Sequence, residues 1–284
     1  MPNLINTEVD NLDWLGFILF GMGVACLAFG FSAIGSQALP LLDEMILLIM
    51  AIISFLLYYL HHQQKGQPFI NTEVFQIRTY RLALLSSTSM RLGTSAISFL
   101  LALMLQLAYH LSPLQAALIL LPYPVGMLIT KPFQVSIVSR LGLRRALLYN
   151  TMIITLIIAS FCFLQPIEHI VLTTINLFLF GFTISLQYSM LQTLNIVNST
   201  QRLLGQMISL ANALQQVTSS FSVALSALLL QLFLLRHHHH VFNPQAFHST
   251  FAVIAGIVLM STYFFLQLKP EDGQEVTGYK SKDR

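Results

Sequence analysis

Residues 14–34 read WLGFILFGMGVACLAFGFSAI, twenty-one positions with no charged side chain and a single hydroxyl, Ser32. At a rise of about 1.5 Å per residue, a helix of that length spans the roughly 30 Å hydrocarbon core of a bilayer, where every backbone N–H and C=O must be satisfied within the segment. The run therefore predicts a transmembrane helix. The residues before it, 1–13, carry acidic groups and no Lys or Arg, so they lack the basic n-region of a secretory signal peptide.

Working outward, seven further apolar stretches follow, at 45–60, 82–108, 113–138, 146–164, 170–194, 207–235 and 249–268. The fold class expected is an all-α polytopic membrane protein of about eight helices. Composition agrees, because 55% of the residues are hydrophobic and 9% charged, with a mean hydropathy of +0.72, whereas soluble domains carry about 25% charge. The connections are short and polar, and none resembles a soluble domain.

Lys and Arg fall on alternate connections. One side holds Lys65, Arg78, Arg81, Arg140, Arg144, Arg145, Arg202, Lys269, Lys280, Lys282 and Arg284, and the other holds Arg236 alone. Cytoplasmic loops retain basic residues, so both termini are expected on the cytoplasmic side of the cell inner membrane. The net charge of +3 is accounted for by these loops and predicts no nucleic-acid partner; it suits an anionic inner leaflet.

Ionisable groups at bilayer depth cost several kcal/mol and mark function by default. Arg91, about nine residues into the third span, either meets an anionic group, a helix end or a substrate, or clamps helices together. Lys131, late in the fourth span, is near enough to the interface to snorkel. All eleven Asp and Glu residues lie at helix ends or in loops, so the spans contain no carboxylate proton relay. Cys26 and Cys162 read as small buried hydrophobes.

Leu121-Pro122-Tyr123-Pro124-Val125-Gly126, with Pro132 beyond, argues against a straight fourth helix, and such breaks either line a cavity or are ordinary kinks. On the seventh span, Ser220, Ser222, Ala224 and Ser226 have the spacing of close helix packing, and Asn212, Gln215 and Gln216 are polar groups for packing or for a polar route. His237 to His240 form an internal run with no carboxylate or Cys beside it, so no metal site is expected. The spans show no His-Glu-x-x-His, Gly-x-Ser-x-Gly, paired aspartates or phosphate loop, so neither an enzyme nor a nucleotide-driven pump is expected, and no cofactor.

Ser139-Arg140-Leu141-Gly142-Leu143-Arg144-Arg145-Ala146-Leu147-Leu148 resembles the D-R-x-G-x-R-R-x-L signature of the major facilitator superfamily, with Ser139 in place of its Asp. Asp13-Trp14-Leu15-Gly16-Phe17, Val74-Phe75-Gln76-Ile77-Arg78-Thr79-Tyr80-Arg81, Arg91-Leu92-Gly93, Leu105-Gln106 and Leu111-Ser112-Pro113-Leu114-Gln115-Ala116-Ala117 are similar to segments of its 14-helix drug:proton antiporter branch, the EmrB/QacA-like efflux proteins. The stretch from Arg202 to Gln216 matches only loosely.

The resemblance implies two linker helices plus a six-helix C-terminal lobe: a cytoplasmic segment at 1–13, a hairpin at 14–61, a cytoplasmic loop at 62–81, the lobe at 82–268 and a tail at 269–284. It implies transport of small amphipathic or drug-like substrates across the lipid bilayer, proton-coupled, with a separately encoded N-terminal lobe or a second copy covering the open face. It places Arg91, Gln106, Pro122 and Gln187 on the transport path and Arg140, Gly142, Arg144 and Arg145 in a cytoplasmic gating loop. The chain is expected to be the C-terminal part of a longer transporter. The alternative is a membrane interaction protein that does not transport, such as the remnant of a decayed transporter gene.

Overall fold

A computed structural model describes residues 13–36, 39–64, 72–163, 169–196, 201–236, 243–269 and 272. The expectations for residues 1–12, Lys65, His237 to His240, Lys280, Lys282 and Arg284 lie outside the described residues, as do the side chains of His62, Arg202 and Arg236.

Every extended element among the described residues is helical. In chain order they are α1 (Trp14–Ser36), α2 (Leu41–Gln64), α3 (Arg78–Thr94), α4 (Ile97–Leu103), α5 (Pro113–Leu120), α6 (Pro122–Ile129), α7 (Lys131–Leu141), α8 (Leu143–Ser160), α9 (Ile170–Ile196), α10 (Gln201–Arg236) and α11 (Pro244–Leu266). Among the described residues seven spans are long and apolar enough to cross a membrane, α3 and α4 counting as one, and there are eight if the bent run through α5, α6 and α7 is one span.

Several helices begin before the apolar run does, because local chemistry caps them. α2 opens at Leu41, behind Pro40, and carries Asp43 and Glu44 in its first turn, where the helix dipole favours negative charge. α11 starts at Pro244, with Asn243 accepting from the Gln245 N–H at 3.1 Å. At α5, Ser112 and Gln115 form a reciprocal capping box with Pro113 in the first helical position. Asp13 caps α1 by accepting from the Gly16 N–H at 3.1 Å, and His61 at the far end of α2 bonds the same oxygen at 2.9 Å. That bond fastens the two ends of the α1–α2 hairpin together.

The fourth span is broken, but its sharp bend of 57° falls between Ile129 and Lys131, next to Pro132, rather than at the Pro122–Pro124 pair. The physical reason lies across the interface. α6 is pressed against α9: a Cβ on Gly126 would overlap the Phe178 carbonyl oxygen, and one on Gly181 would overlap that of Tyr123. Thr130 Oγ1 donates to the Phe182 carbonyl at 3.0 Å and Ser185 Oγ to that of Met127 at 3.2 Å, so α6 is held straight along α9 and the chain turns only beyond it.

The core joins α3, α4, α8, α9 and α11 around Leu100, Met104, Ile154, Phe180, Phe251 and Val258. Phe161 meets Phe180 at 6.0 Å and Phe251 at 5.8 Å, while Tyr123 stacks on Phe180 at 5.5 Å. Gly93 lets α3 approach the backbone of α11 at Val258. On the other side α1 lies along α10, with Phe31 against Phe221 at 4.9 Å, and Ser222 Oγ donates to the Leu92 carbonyl at 2.7 Å, joining α10 to α3.

A polar cavity and an arginine clamp

α3 delivers Arg91 to a partner on α9: its guanidinium carbon lies 4.1 Å from the centre of the Tyr188 ring. The Tyr188 hydroxyl is itself held by Thr94 Oγ1 at 2.7 Å. A cation over an aromatic face in a desolvated setting is worth about 2 kcal/mol. Arg91 Nε is sealed from solvent and has no hydrogen-bond acceptor among the described residues. At the same level Ser95 meets Ser219 at 3.1 Å, so α3, α9 and α10 converge on this cation.

One turn further along α9, Ser189, Gln192 and Asn195 face a cavity of about 460 Å³ that α7 and α10 close with Gln134, Asn212 and Gln215. Five of these six side chains are amides, each offering two donors and an acceptor. Asn195 is 3% exposed, and its Oδ1 has no partner among the described residues. Among the described residues no charged side chain lines the cavity. The arrangement is able to bind hydrogen-bonding groups; among the described residues it contains neither a nucleophile with its base nor a set of metal ligands.

The residues expected on the path do not all meet here. Gln106 sits in a π-helical turn, Met104–Ala108, at the other end of the third span, fifteen positions or roughly 22 Å from Arg91. Pro122 starts α6 beside the Tyr123–Phe180 stack. Gln187 is wholly buried: its Oε1 accepts from Asn150 Nδ2 at 2.8 Å and its Nε2 donates to Thr151 Oγ1 at 2.9 Å. Asn150 also donates to the Thr183 carbonyl at 2.8 Å. Gln187 therefore joins α8 to α9 and does not face the cavity.

Among the loop residues, Gly142 takes φ 76° and ψ 154°, a backbone state that favours glycine, and makes the tight turn from α7 to α8. Ser139 folds back onto the Ser136 carbonyl at 3.1 Å. Arg144 reaches across to the Leu266 carbonyl at 3.0 Å and Arg78 to that of Gln267 at 2.6 Å, so two cations cap the carboxyl end of α11, where the dipole favours them. Arg140 and Arg145 are exposed, as is Lys131 at the bend.

Sequence reading had singled out Asn212 and Gln215 but passed over Gln134, Gln192 and Asn195. Ser189, Gln192 and Asn195 recur every three residues, as Asn212 and Gln215 do, in spans otherwise apolar; that spacing was the available signal.

A family model described as Major Facilitator Superfamily matches residues 12–223 and, in a second overlapping match, 85–282. A protein of Pectobacterium carotovorum with the assigned name multidrug resistance protein MdtD is 28% identical over 233 residues, covering 82% of this chain and 50% of the relative. The protein of the same name from Pectobacterium atrosepticum is 25% identical over 281 residues, 98% of this chain and 60% of its own length. One from Haemophilus influenzae, by its assigned name transport protein HsrA, is 24% identical over 276 residues, 96% and 59% of the two chains. The chain thus spans between half and three fifths of the length of these relatives.

Proposed function

Since the chain belongs to the major facilitator superfamily, we propose that it forms one lobe of a multidrug-type efflux transporter whose route runs past the Arg91–Tyr188 clamp and the amide-lined cavity. The chain is a multi-pass, all-α membrane protein of a family of transport proteins. The finer reading rests on one observation above all: an amide-rich cavity between α7, α9 and α10, with a buried Asn195 oxygen that has no partner among the described residues. Burying amides without partners costs roughly 1–3 kcal/mol each by mutational measures. Asn195 is buried without a partner among the described residues, whereas Gln192 and Asn212 are exposed, so the cluster fits a wet, ligand-exchanging route rather than packing.

In this reading residues 14–61 are a linker hairpin, 82–268 the transporting lobe, and the segments at 1–13, 62–81 and 269–284 are cytoplasmic. The one-sided distribution of Lys and Arg supports that orientation in a cytoplasmic membrane. A second lobe, separately made or a second copy, completes the route for a small amphipathic substrate and brings the proton-coupling carboxylates, since the described spans bear acids only at their ends. Arg144 ties the α7–α8 turn to the end of α11, which supports a loop that moves with that helix.

The test is ethidium accumulation in cells stripped of their own efflux pumps, expressing this chain alone or together with the first half of an MdtD-type relative. The combination is expected to lower accumulation. Arg91→Ala, or Gln192→Leu with Asn212→Leu, is expected to restore it at equal membrane abundance. Accumulation unchanged in every combination, or variants that export like the parent, would refute the assignment.

A further inference from the structure

Glu44 lies outside the route described above, and its setting is unexplained by that reading. It is 8% exposed although it belongs to the first turn of α2, at the end of the hairpin opposite the Asp13–His61 bond. It lines a cavity of about 280 Å³ between the hairpin and α10, together with Ile34, Leu39, Leu41, Leu228 and Gln231. Among the described residues the only other polar side chain there is the Gln231 amide, and no Lys, Arg or His lines the cavity. Among the described residues Glu44 has neither a side-chain hydrogen bond nor an ion pair.

A carboxylate at the start of a helix is favoured by the dipole, which accounts for its charge. It does not account for that charge being turned in against α10 beside open volume, while its neighbour Asp43 is exposed. The residue is largely buried while its carboxyl opens onto the cavity, and a carboxylate set against aliphatic walls is stabilised by a cation. The walls are aliphatic and the site stands where a span begins, at headgroup depth, so the cation belongs on an amphipathic molecule.

We infer that this cavity binds the primary ammonium of an amphipathic amine, with Glu44 as the charge partner, Gln231 accepting a further N–H, and Ile34, Leu39 and Leu228 along the aliphatic chain. That chemistry has two sources, a phosphatidylethanolamine headgroup and a free amine carrying an alkyl chain.

The experiment is native mass spectrometry of the full chain, delipidated and then offered phosphatidylethanolamine, phosphatidylcholine or dodecylamine. The parent is expected to retain one molecule of an N–H bearing ligand at least about tenfold more than phosphatidylcholine, whose methylated headgroup has no N–H to donate. Retention of phosphatidylethanolamine identifies a lipid site; retention of dodecylamine alone identifies a site for free amines. Glu44→Gln is expected to abolish the preference and Gln231→Leu, on the opposite helix, to weaken it, while Asp43→Asn leaves it intact. Melting temperatures matching the parent establish that the variants are folded. Equal retention by parent and Glu44→Gln, no preference over phosphatidylcholine, or no retention of either amine would each overturn the inference.

Discussion

Replacing Gly181 by Ala puts the close crossing of α6 and α9 to a quantitative test. The three heavy atoms nearest the new Cβ are the carbonyl oxygen, carbonyl carbon and Cα of Tyr123, the last two at 2.9 and 3.2 Å. All three are backbone, so no side-chain rotation relieves the overlap and α6 must move off α9. Overpacking of this kind costs about 1–3 kcal/mol. The shift also draws out the Thr130 to Phe182 and Ser185 to Met127 bonds, at 3.0 and 3.2 Å, each worth about 0.6 kcal/mol in a membrane bundle. The sum is about 3 kcal/mol, a fall in melting temperature of roughly 6 °C or more. Half-buried Cys26 and Cys162 are the only thiols, so a thiol-reactive dye reports unfolding directly. Gly21→Ala and Gly256→Ala are the controls: nothing lies within 4 Å of a Cβ at either position, and both should melt at or above the parent because Ala is the better helix former by up to about 1 kcal/mol. A Gly181→Ala protein melting within about a degree of those controls would refute the tight crossing and, with it, the reason given for where the fourth span bends.

Three further outcomes are expected. Gln187→Leu leaves Asn150 and Thr151 short of a partner inside the bundle, so it should cost about 1–3 kcal/mol in the same dye assay. Its folded fraction should still transport in the two-lobe ethidium assay. Tyr188→Phe should retain most activity there, because the ring beneath Arg91 stays, whereas Tyr188→Ala should match Arg91→Ala. Arg144→Gln should lower the melting temperature less in high salt than in low salt, since what it removes is a cation at the end of α11 near the membrane surface.

Much of the fold was legible along the chain. The apolar runs marked the helices because hydrocarbon admits only segments that satisfy their own backbone, and the run expected to begin at Pro113 does start α5 there. The bend was placed less well. Prolines show where a helix is able to break, while the actual break depends on Gly126 and Gly181, 55 positions apart in sequence, letting α6 lock onto α9.

Arg91 was legible as a functional candidate from its depth alone, for a lone guanidinium in an apolar span has to be answered by something. What answers it, the Tyr188 ring held by Thr94, is decided by how α3 crosses α9. Gln187 shows the converse: a polar residue in a span reads the same whether it faces a cavity or a partner, and only the packing of α8 on α9 reveals that Asn150 and Thr151 consume its hydrogen bonds. The sequence by itself determined the solvent of this protein, its helical class and its family, because those depend on composition, run length and local motif. Tertiary structure alone decided which amides gather into one cavity, which arginines cap α11 and where Glu44 is buried. Those follow from contacts between residues far apart in the chain, and helix periodicity carries no information about which neighbour a given face will meet.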